Sequence, residues 1–148
     1  MKITNAAILA VAAVGALRLM QQRQHQQQRN EVEVARIQMD RIMHLTSHPH
    51  LAESWAPPGM NVDEYVKLLD ANHQICAVSL RHKLRITRGA QLRFVAEWIM
   101  KNEVSRRYWK EFGSLRAEEA TGDPDAEEFT EAMRVAYADR RAVQPVGV

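Results

Sequence analysis

The chain has 148 residues, of which 46% are hydrophobic and 26% charged, and its formal net charge is +2. Few glycines and prolines and a predominance of good helix formers exclude a mainly β fold and predict an all-α protein with one buried core. Cys76 is the only cysteine, which excludes a disulfide within the chain.

Residues 1–20 are predicted to form a hydrophobic membrane anchor. The segment from Ile3 to Met20 is uncharged except for Arg18, and as a helix it would measure about 27 Å against a hydrocarbon core of ~30 Å. Two alternatives stay open: a cleaved signal peptide, because Val14-Gly15-Ala16 resembles a cleavage site, and a soluble helix. The sequence thus favours a single-pass membrane protein held through residues 3–20.

The flanking charges predict the orientation of this anchor. Arg18, Arg23 and Arg29 follow the apolar segment, whereas only Lys2 and the terminal amine precede it. Because basic residues flank the cytoplasmic side of a span, we expect the C-terminal domain to be cytoplasmic.

A glutamine-rich segment, residues 21–30, is predicted as a helical stalk, with a flexible linker as the alternative. The helical domain is predicted to span residues 31–141, and residues 142–148 are expected to form a flexible tail. The first helix of the domain carries an apolar stripe from Val32 to Leu45 and ends near Ser47, since the residue before Pro49 disfavours helix.

Local signals divide the rest of the domain into further helices. Asn61 is expected to cap one helix together with Glu64, and Thr87 to cap the next. The apolar stripe then turns by more than a quarter revolution, which favours a break between residues 101 and 105 over one long helix buried on two sides. Asp123 followed by Pro124 is typical of the start of a last helix. The prediction is a small bundle of four to five helices after the anchor and stalk.

Charge is distributed unevenly along this domain. Residues 81–116 contain ten Lys/Arg against three Glu, whereas residues 117–139 contain eight Asp/Glu against one Arg. Neutralisation between neighbouring helices is the favoured interpretation. An exposed basic patch for nucleic acid or anionic lipid is the alternative.

Several short phrases resemble one group of proteins: Asp70-Ala71-Asn72, Ser79-Leu80-Arg81-His82, Gln91-Leu92-Arg93-Phe94, Arg107-Tyr108-Trp109, Phe112-Gly113 and Ala136-Tyr137. Over residues 32–139 the chain resembles an actinobacterial, Streptomyces-type family with an N-terminal hydrophobic segment and a helical domain of unknown function. The resemblance implies a membrane-tethered helical domain in a Gram-positive bacterium. It supplies no catalytic residues.

The aromatic-rich stretch from Gln91 to Arg116 supplies candidates for a protein contact. Helical geometry places Trp109 about 100° to one side of Tyr108, so we expect Trp109 at the edge of the buried stripe and Phe112 inside it. Tryptophan and arginine are favoured at interaction hot spots. The predicted partner contacts are Arg106, Arg107 and Trp109.

The basic run from residue 81 to 88 supplies candidates for phosphate or lipid headgroups: Arg81, Lys83, Arg85 and Arg88. A helix–turn–helix interpretation would place the following helix in a DNA groove, but its face would carry only Arg93 and Glu97 beside Trp98. Nucleic acid is therefore disfavoured, and anionic lipid fits better for a domain near a membrane.

The remaining chemical motifs are weak. His44, His48, His50 and Glu53 have metal-ligand residue types, but Pro49 ends the helix that would align them, so no metal site is predicted. No catalytic set and no cofactor motif can be defined, which disfavours an enzyme. The sequence predicts a membrane-tethered interaction or regulatory module with an unidentified protein partner, and leaves a homo-oligomer open. The alternative is a soluble basic helical domain that binds nucleic acid or anionic lipid.

Overall fold

The computed structural model describes residues 2–143, with side chains described from Ala12 onward, and its regular structure in this part of the chain is helical throughout. The elements are α1 (Lys2–Ser47), α2 (Pro49–Ala52), a 3-10 turn (Glu53–Trp55), α3 (Val62–Lys83), α4 (Gly89–Lys101), α5 (Glu103–Ala120) and α6 (Pro124–Val143). The predicted all-α class is confirmed. The predicted tail is helical as far as Val143, and the rest of it lies outside the described residues.

The chain divides into two compact units, Met1–Arg36 and Ile37–Val148. The first unit consists, where described, of the N-terminal part of α1, and the glutamine-rich segment is helical along its whole length. Within the described residues, no helix combines the length and the apolarity that a membrane crossing requires. The side chains of residues 3–11 lie outside the described part of the chain, and the single-pass anchor predicted for residues 3–20 is therefore unsupported.

The second unit is built around a core between α3, α4, α5 and α6. Large apolar side chains of these helices pack together. The side chains of Ile75, Ile99, Met100 and Met133 are almost fully buried. Truncating a side chain of this kind to alanine costs about 2–5 kcal/mol, so this core fixes the arrangement of the four helices. A smaller cluster, formed by Ile42, Leu45, Ala52 and Leu69, packs the end of α1 and α2 against α3.

A single residue separates α4 from α5. The side-chain oxygen of Asn102 accepts hydrogen bonds from the backbone N–H groups of Val104 (2.8 Å) and Ser105 (3.4 Å), which caps α5. The guanidinium of Arg106 donates to the carbonyl oxygens of Met100 and Lys101, both at 2.8 Å, which satisfies the end of α4. The predicted break in this region is confirmed, since two helices with separate caps replace one long helix.

Two other caps were predicted with different success. Asn61 accepts a hydrogen bond from the backbone N–H of Asp63 at 2.8 Å, as expected of the residue that begins α3. Thr87 does not cap α4, because Arg88 occupies the cap position, where its side chain makes no capping hydrogen bond, and Thr87 is buried in the preceding turn. The threonine prediction is therefore wrong. The backbone carbonyl of Thr87 accepts from the buried imidazole of His82, five residues earlier at the end of α3.

Candidate functional site

A cleft of about 180 Å³ opens between α3 and α5. Its walls are largely apolar, with Leu68 and Leu69 from α3 and Phe112 and Leu115 from α5. Arg116 supplies the positive charge, so we call it the Arg116 cleft. A concave, mainly apolar site with a few convergent polar groups is the usual form of a ligand pocket.

Four polar side chains from two helices meet at one side of the Arg116 cleft. Nη2 of Arg116 donates to Asn72 Oδ1 (2.5 Å) and to Cys76 Sγ (3.0 Å). Nε of Arg116 donates to the Tyr108 hydroxyl oxygen (3.1 Å), and that hydroxyl donates to Asn72 Oδ1 (2.8 Å). The guanidinium is thus held in one orientation by Asn72, Cys76 and Tyr108.

The electrostatics keep Arg116 charged and Tyr108 neutral. Burial alone would lower the pKa of Arg116, but the neighbouring Cys76 and Tyr108 groups outweigh it and raise that pKa above its usual range. Burial raises the pKa of Tyr108, against the opposing charge of Arg116. Nη1 of Arg116 lies 4.0 Å from the carboxylate oxygen Oε2 of Glu119, and this glutamate is mostly exposed. The cleft therefore holds a semi-buried cation with only a loose counter-ion.

Trp109 lies in the core rather than on a binding surface. Its exposed fraction is 5%, and its indole packs over Gly113, whose missing side chain leaves the space that the ring fills. Phe112 is only partly buried, so the order of burial reverses the prediction for these two aromatics. The reason is that α5 packs against three helices, α3, α4 and α6, so a single apolar stripe does not describe its buried surface. The Trp-x-x-x-Gly spacing in the sequence is a packing requirement.

A model of a family of unknown function, DUF6082, matches residues 3–147 of the chain. The chain belongs to the DUF6082 family. The match includes the N-terminal helix and is longer than the resemblance expected over residues 32–139. No curated protein matches the chain, and no solved structure matches it.

The other predicted partner residues of this DUF6082 member are engaged in local contacts. Arg106 caps the end of α4, and Arg107 forms an ion pair with Glu64 of α3. The structure does not bring Arg106, Arg107 and Trp109 together into one exposed surface, since Trp109 is buried.

Two exposed aromatic side chains on α4 were missed as contact candidates. Phe94 is 66% exposed and Trp98 is 58% exposed, and their four-residue spacing places them on the same helix face. The signal was present in the sequence: Leu92, Ala96 and Ile99 define the buried face of α4, and positions 94 and 98 lie on the opposite side at about 100° per residue. We call Phe94 and Trp98 the α4 aromatic pair.

The basic run of this DUF6082 member meets the acidic start of α6. Lys83 Nζ lies 2.9 Å from Asp123 Oδ2, and Arg85 Nη2 lies 2.9 Å from Asp125 Oδ1. Arg88 donates through Nε to the carbonyl of Arg85, and Arg81 is exposed. Two of the four phosphate candidates are thus paired within the domain, as the neutralisation hypothesis expects. The histidines near Pro49 form only a local stack, with the His44 and His48 ring centroids 4.4 Å apart.

Proposed function

We propose that this DUF6082 member is a non-enzymatic helical binding module that holds an anionic group of its ligand or partner in the Arg116 cleft. The observation that carries this proposal is the orientation of one guanidinium. Nε and Nη2 of Arg116 are held by Tyr108, Asn72 and Cys76, while Nη1 has no hydrogen-bond partner among the described residues and only distant Glu119 as a counter-ion.

The chemistry of the cleft favours a carboxylate. Nη1 of Arg116 can donate a charge-assisted hydrogen bond to one carboxylate oxygen, and such a bond is stronger than one to a neutral acceptor. Apolar walls from α3 and α5 would take the carbon skeleton that carries the acid. The volume of about 180 Å³ is close to that of an engineered cavity of roughly 150 Å³ that accepts benzene. A small aromatic or aliphatic acid therefore fits, as does one acidic or C-terminal residue of a partner protein.

Binding of benzoate and of a short peptide with a free C-terminus tests this proposal. Chemical shifts of the arginine Nε–H groups follow each titration, and we expect saturable shifts at Arg116 with an affinity of about millimolar, as suits a ligand of this size. Arg116→Gln should abolish the shifts of the backbone amides around the cleft, and Arg134→Gln, on the exposed surface of α6, is the matched control. Saturation by the peptide alone would identify a protein partner rather than a free acid.

A second variant keeps the test independent of folding. Glu119 is mostly exposed and lies 4.0 Å from the guanidinium, so Glu119→Gln leaves the core intact and removes a competing charge. We expect it to tighten benzoate binding by up to about fivefold, the factor that corresponds to ~1 kcal/mol of charge interaction in water. No change in affinity, or weaker binding, would contradict the proposal.

The α4 aromatic pair favours a second function, docking of a protein partner or of a second copy of the chain. Exposed apolar side chains that lie together can mark an interaction site, and aromatic residues are frequent at interaction hot spots. A photo-crosslinking residue at position 94 or 98 should give a discrete adduct in cells, whereas the same residue at exposed Glu111 of α5 should not. Equal labelling at all three positions would reject a specific interface. Sedimentation of the purified chain distinguishes a homo-oligomer from a foreign partner.

Attachment to a membrane through the N-terminal helix stays a prediction from the sequence. It is supported by the uncharged stretch from Ile3 to Leu17 and by the exposed apolar side chains of Leu17, Leu19 and Met20. A cytoplasmic position of the helical domain depends on the same prediction, as does any contact of its basic residues with anionic lipid. We propose no nucleic-acid partner.

A further inference from the structure

A buried histidine at the end of α3 has one ring nitrogen without a hydrogen-bond partner. The side chain of His82 is 1% exposed, and its Nδ1 lies 2.9 Å from the carbonyl oxygen of Thr87. Because a carbonyl can only accept, Nδ1 must carry the proton, and in the neutral ring the lone pair is then on Nε2. Nε2 is buried and makes no hydrogen bond in the described structure. An orphaned buried nitrogen of this kind requires an explanation.

The unpartnered nitrogen of His82 is directed at two carboxylates of α6. Glu128 Oε2 lies 3.4 Å from Nε2, and Asp125 stands one helical turn before Glu128. One ligand atom from each of the three side chains lies within 4.8 Å of the other two. The Asp125 side chain is largely buried and that of Glu128 is half exposed, so the group opens to solvent on one side.

We propose that His82, Asp125 and Glu128 bind a divalent transition-metal ion, with Zn²⁺ as the best match. Imidazole nitrogen and carboxylate oxygen are both zinc ligands, with bonds of about 2.0–2.2 Å. A tetrahedral site with bonds of about 2.1 Å has ligand atoms roughly 3.4 Å apart, which is the separation of His82 Nε2 and Glu128 Oε2. The hydrogen bond from Nδ1 to Thr87 is the outer contact that fixes the tautomer of a metal-bound histidine. The fourth position faces solvent and would take water.

Two basic side chains lie next to this site. Arg85 Nη2 lies 2.9 Å from Oδ1 of Asp125. Lys83 contacts Asp123, which is outside the ligand set. Without metal, a protonated His82 would donate to Glu128, and this ion pair is the purely structural alternative. A bound ion would tie the end of α3 to the start of α6, across the turn in which Arg85 adopts a left-handed φ of 64°.

Titration of the full chain, first stripped with a chelator, tests the site with Zn²⁺ and with Co²⁺. Co²⁺ should give the visible absorption of a four-coordinate ion, and Zn²⁺ should displace it. At a free concentration one hundred times its dissociation constant, Zn²⁺ should raise the melting temperature by roughly 5–11 °C. Absence of both effects would overturn the proposal.

Variants of one exposed carboxylate locate the ion. Glu128→Gln should weaken Zn²⁺ binding at least tenfold without unfolding the chain, because that side chain is half exposed. Glu131→Gln, one turn further along α6, is the matched control and should bind as the unmodified chain does. Unchanged affinity in Glu128→Gln overturns the proposal. Loss of binding in a His44→Ala, His48→Ala chain instead would assign the ion to the other histidine cluster and overturn it equally.

Discussion

Replacement of Gly113 by alanine tests the packing that distinguishes the centre of α5. An ideal Cβ at position 113 would lie 3.0 Å from Nε1 of Trp109 and 3.1 Å from Cδ1 and Cε2 of the same ring. Carbon atoms in favourable contact are about 3.5–4.0 Å apart, so the indole would have to move by several tenths of an ångström. The ring is 5% exposed and packed in the core, and it has little room to do so.

Helix propensity and crowding of the core have opposite effects on the free energy of unfolding of Gly113→Ala. Alanine is favoured over glycine inside a helix by about 1 kcal/mol. Crowding of a well-packed core costs typically 1–3 kcal/mol, and here the atoms in conflict belong to a rigid ring. We therefore expect Gly113→Ala to lower the free energy of unfolding by about 1 kcal/mol, although the substitution improves helix propensity.

Urea denaturation followed by circular dichroism measures this difference. Ser114→Ala, at the exposed position next to Gly113, should raise the free energy of unfolding by a few tenths of a kcal/mol and calibrates propensity alone. In a Trp109→Phe background the smaller ring should remove the conflict, and Gly113→Ala should then stabilise the chain. A stabilising Gly113→Ala in the unmodified chain would refute the reasoning.

Further expectations follow from the caps, the core, the cleft and the N-terminal helix. Asn102→Ala should cost about 1 kcal/mol in urea melts while Asn102→Asp costs less, and equal losses would reject the cap. Trp109→Ala should destabilise by about 3–5 kcal/mol and exceed Phe112→Ala, whose side chain is half-buried; the reverse order would contradict the core assignment. Burial raises the pKa of Tyr108 in the folded chain above its unfolded value near 10. Neutral Tyr108 therefore contributes to the free energy of unfolding below the unfolded pKa, and this contribution is lost as pH rises through the folded pKa. Tyr108→Phe should flatten this alkaline decline in stability. If the N-terminal helix tethers the protein, the full chain should pellet with membranes and resist carbonate, and a chain without residues 1–29 should not.

Local signals made much of the fold predictable. The cap at Asn61, the Asp123-Pro124 start of α6 and the phase shift of the apolar stripe near Asn102 each depend on a few neighbouring residues. Such signals operate before tertiary structure forms, and for that reason the sequence reveals them. Thr87 shows the limit of the method, since it is buried in the turn after α3 and Arg88 takes the cap position of α4.

The burial of Trp109 and the meeting of side chains from separate helices could not be predicted from such local signals. A helical wheel compares a residue with one stripe, whereas Trp109 is enclosed because α5 packs against three helices, α3, α4 and α6. Asn72 and Arg116 are far apart in the sequence and meet only because α3 and α5 lie side by side. His82 and Glu128 are also far apart in the sequence and meet only in the folded chain. A search of the sequence for closely spaced metal ligands finds the histidines near Pro49 and does not find this pair. Sites assembled from separate helices require the packing to be known.

The single-residue junction at Asn102 has a consequence for how chain length varies in this family. Asn102 ends α4 and caps α5, while Arg106 holds the last carbonyls of α4, so the junction has no spare residue. An inserted or deleted residue there would turn one helix by about 100° relative to its own caps and core contacts. The connection from Ala56 to Met60 carries no helix and can absorb such changes. Insertions and deletions among relatives should therefore collect between α2 and α3 and avoid residues 101–103.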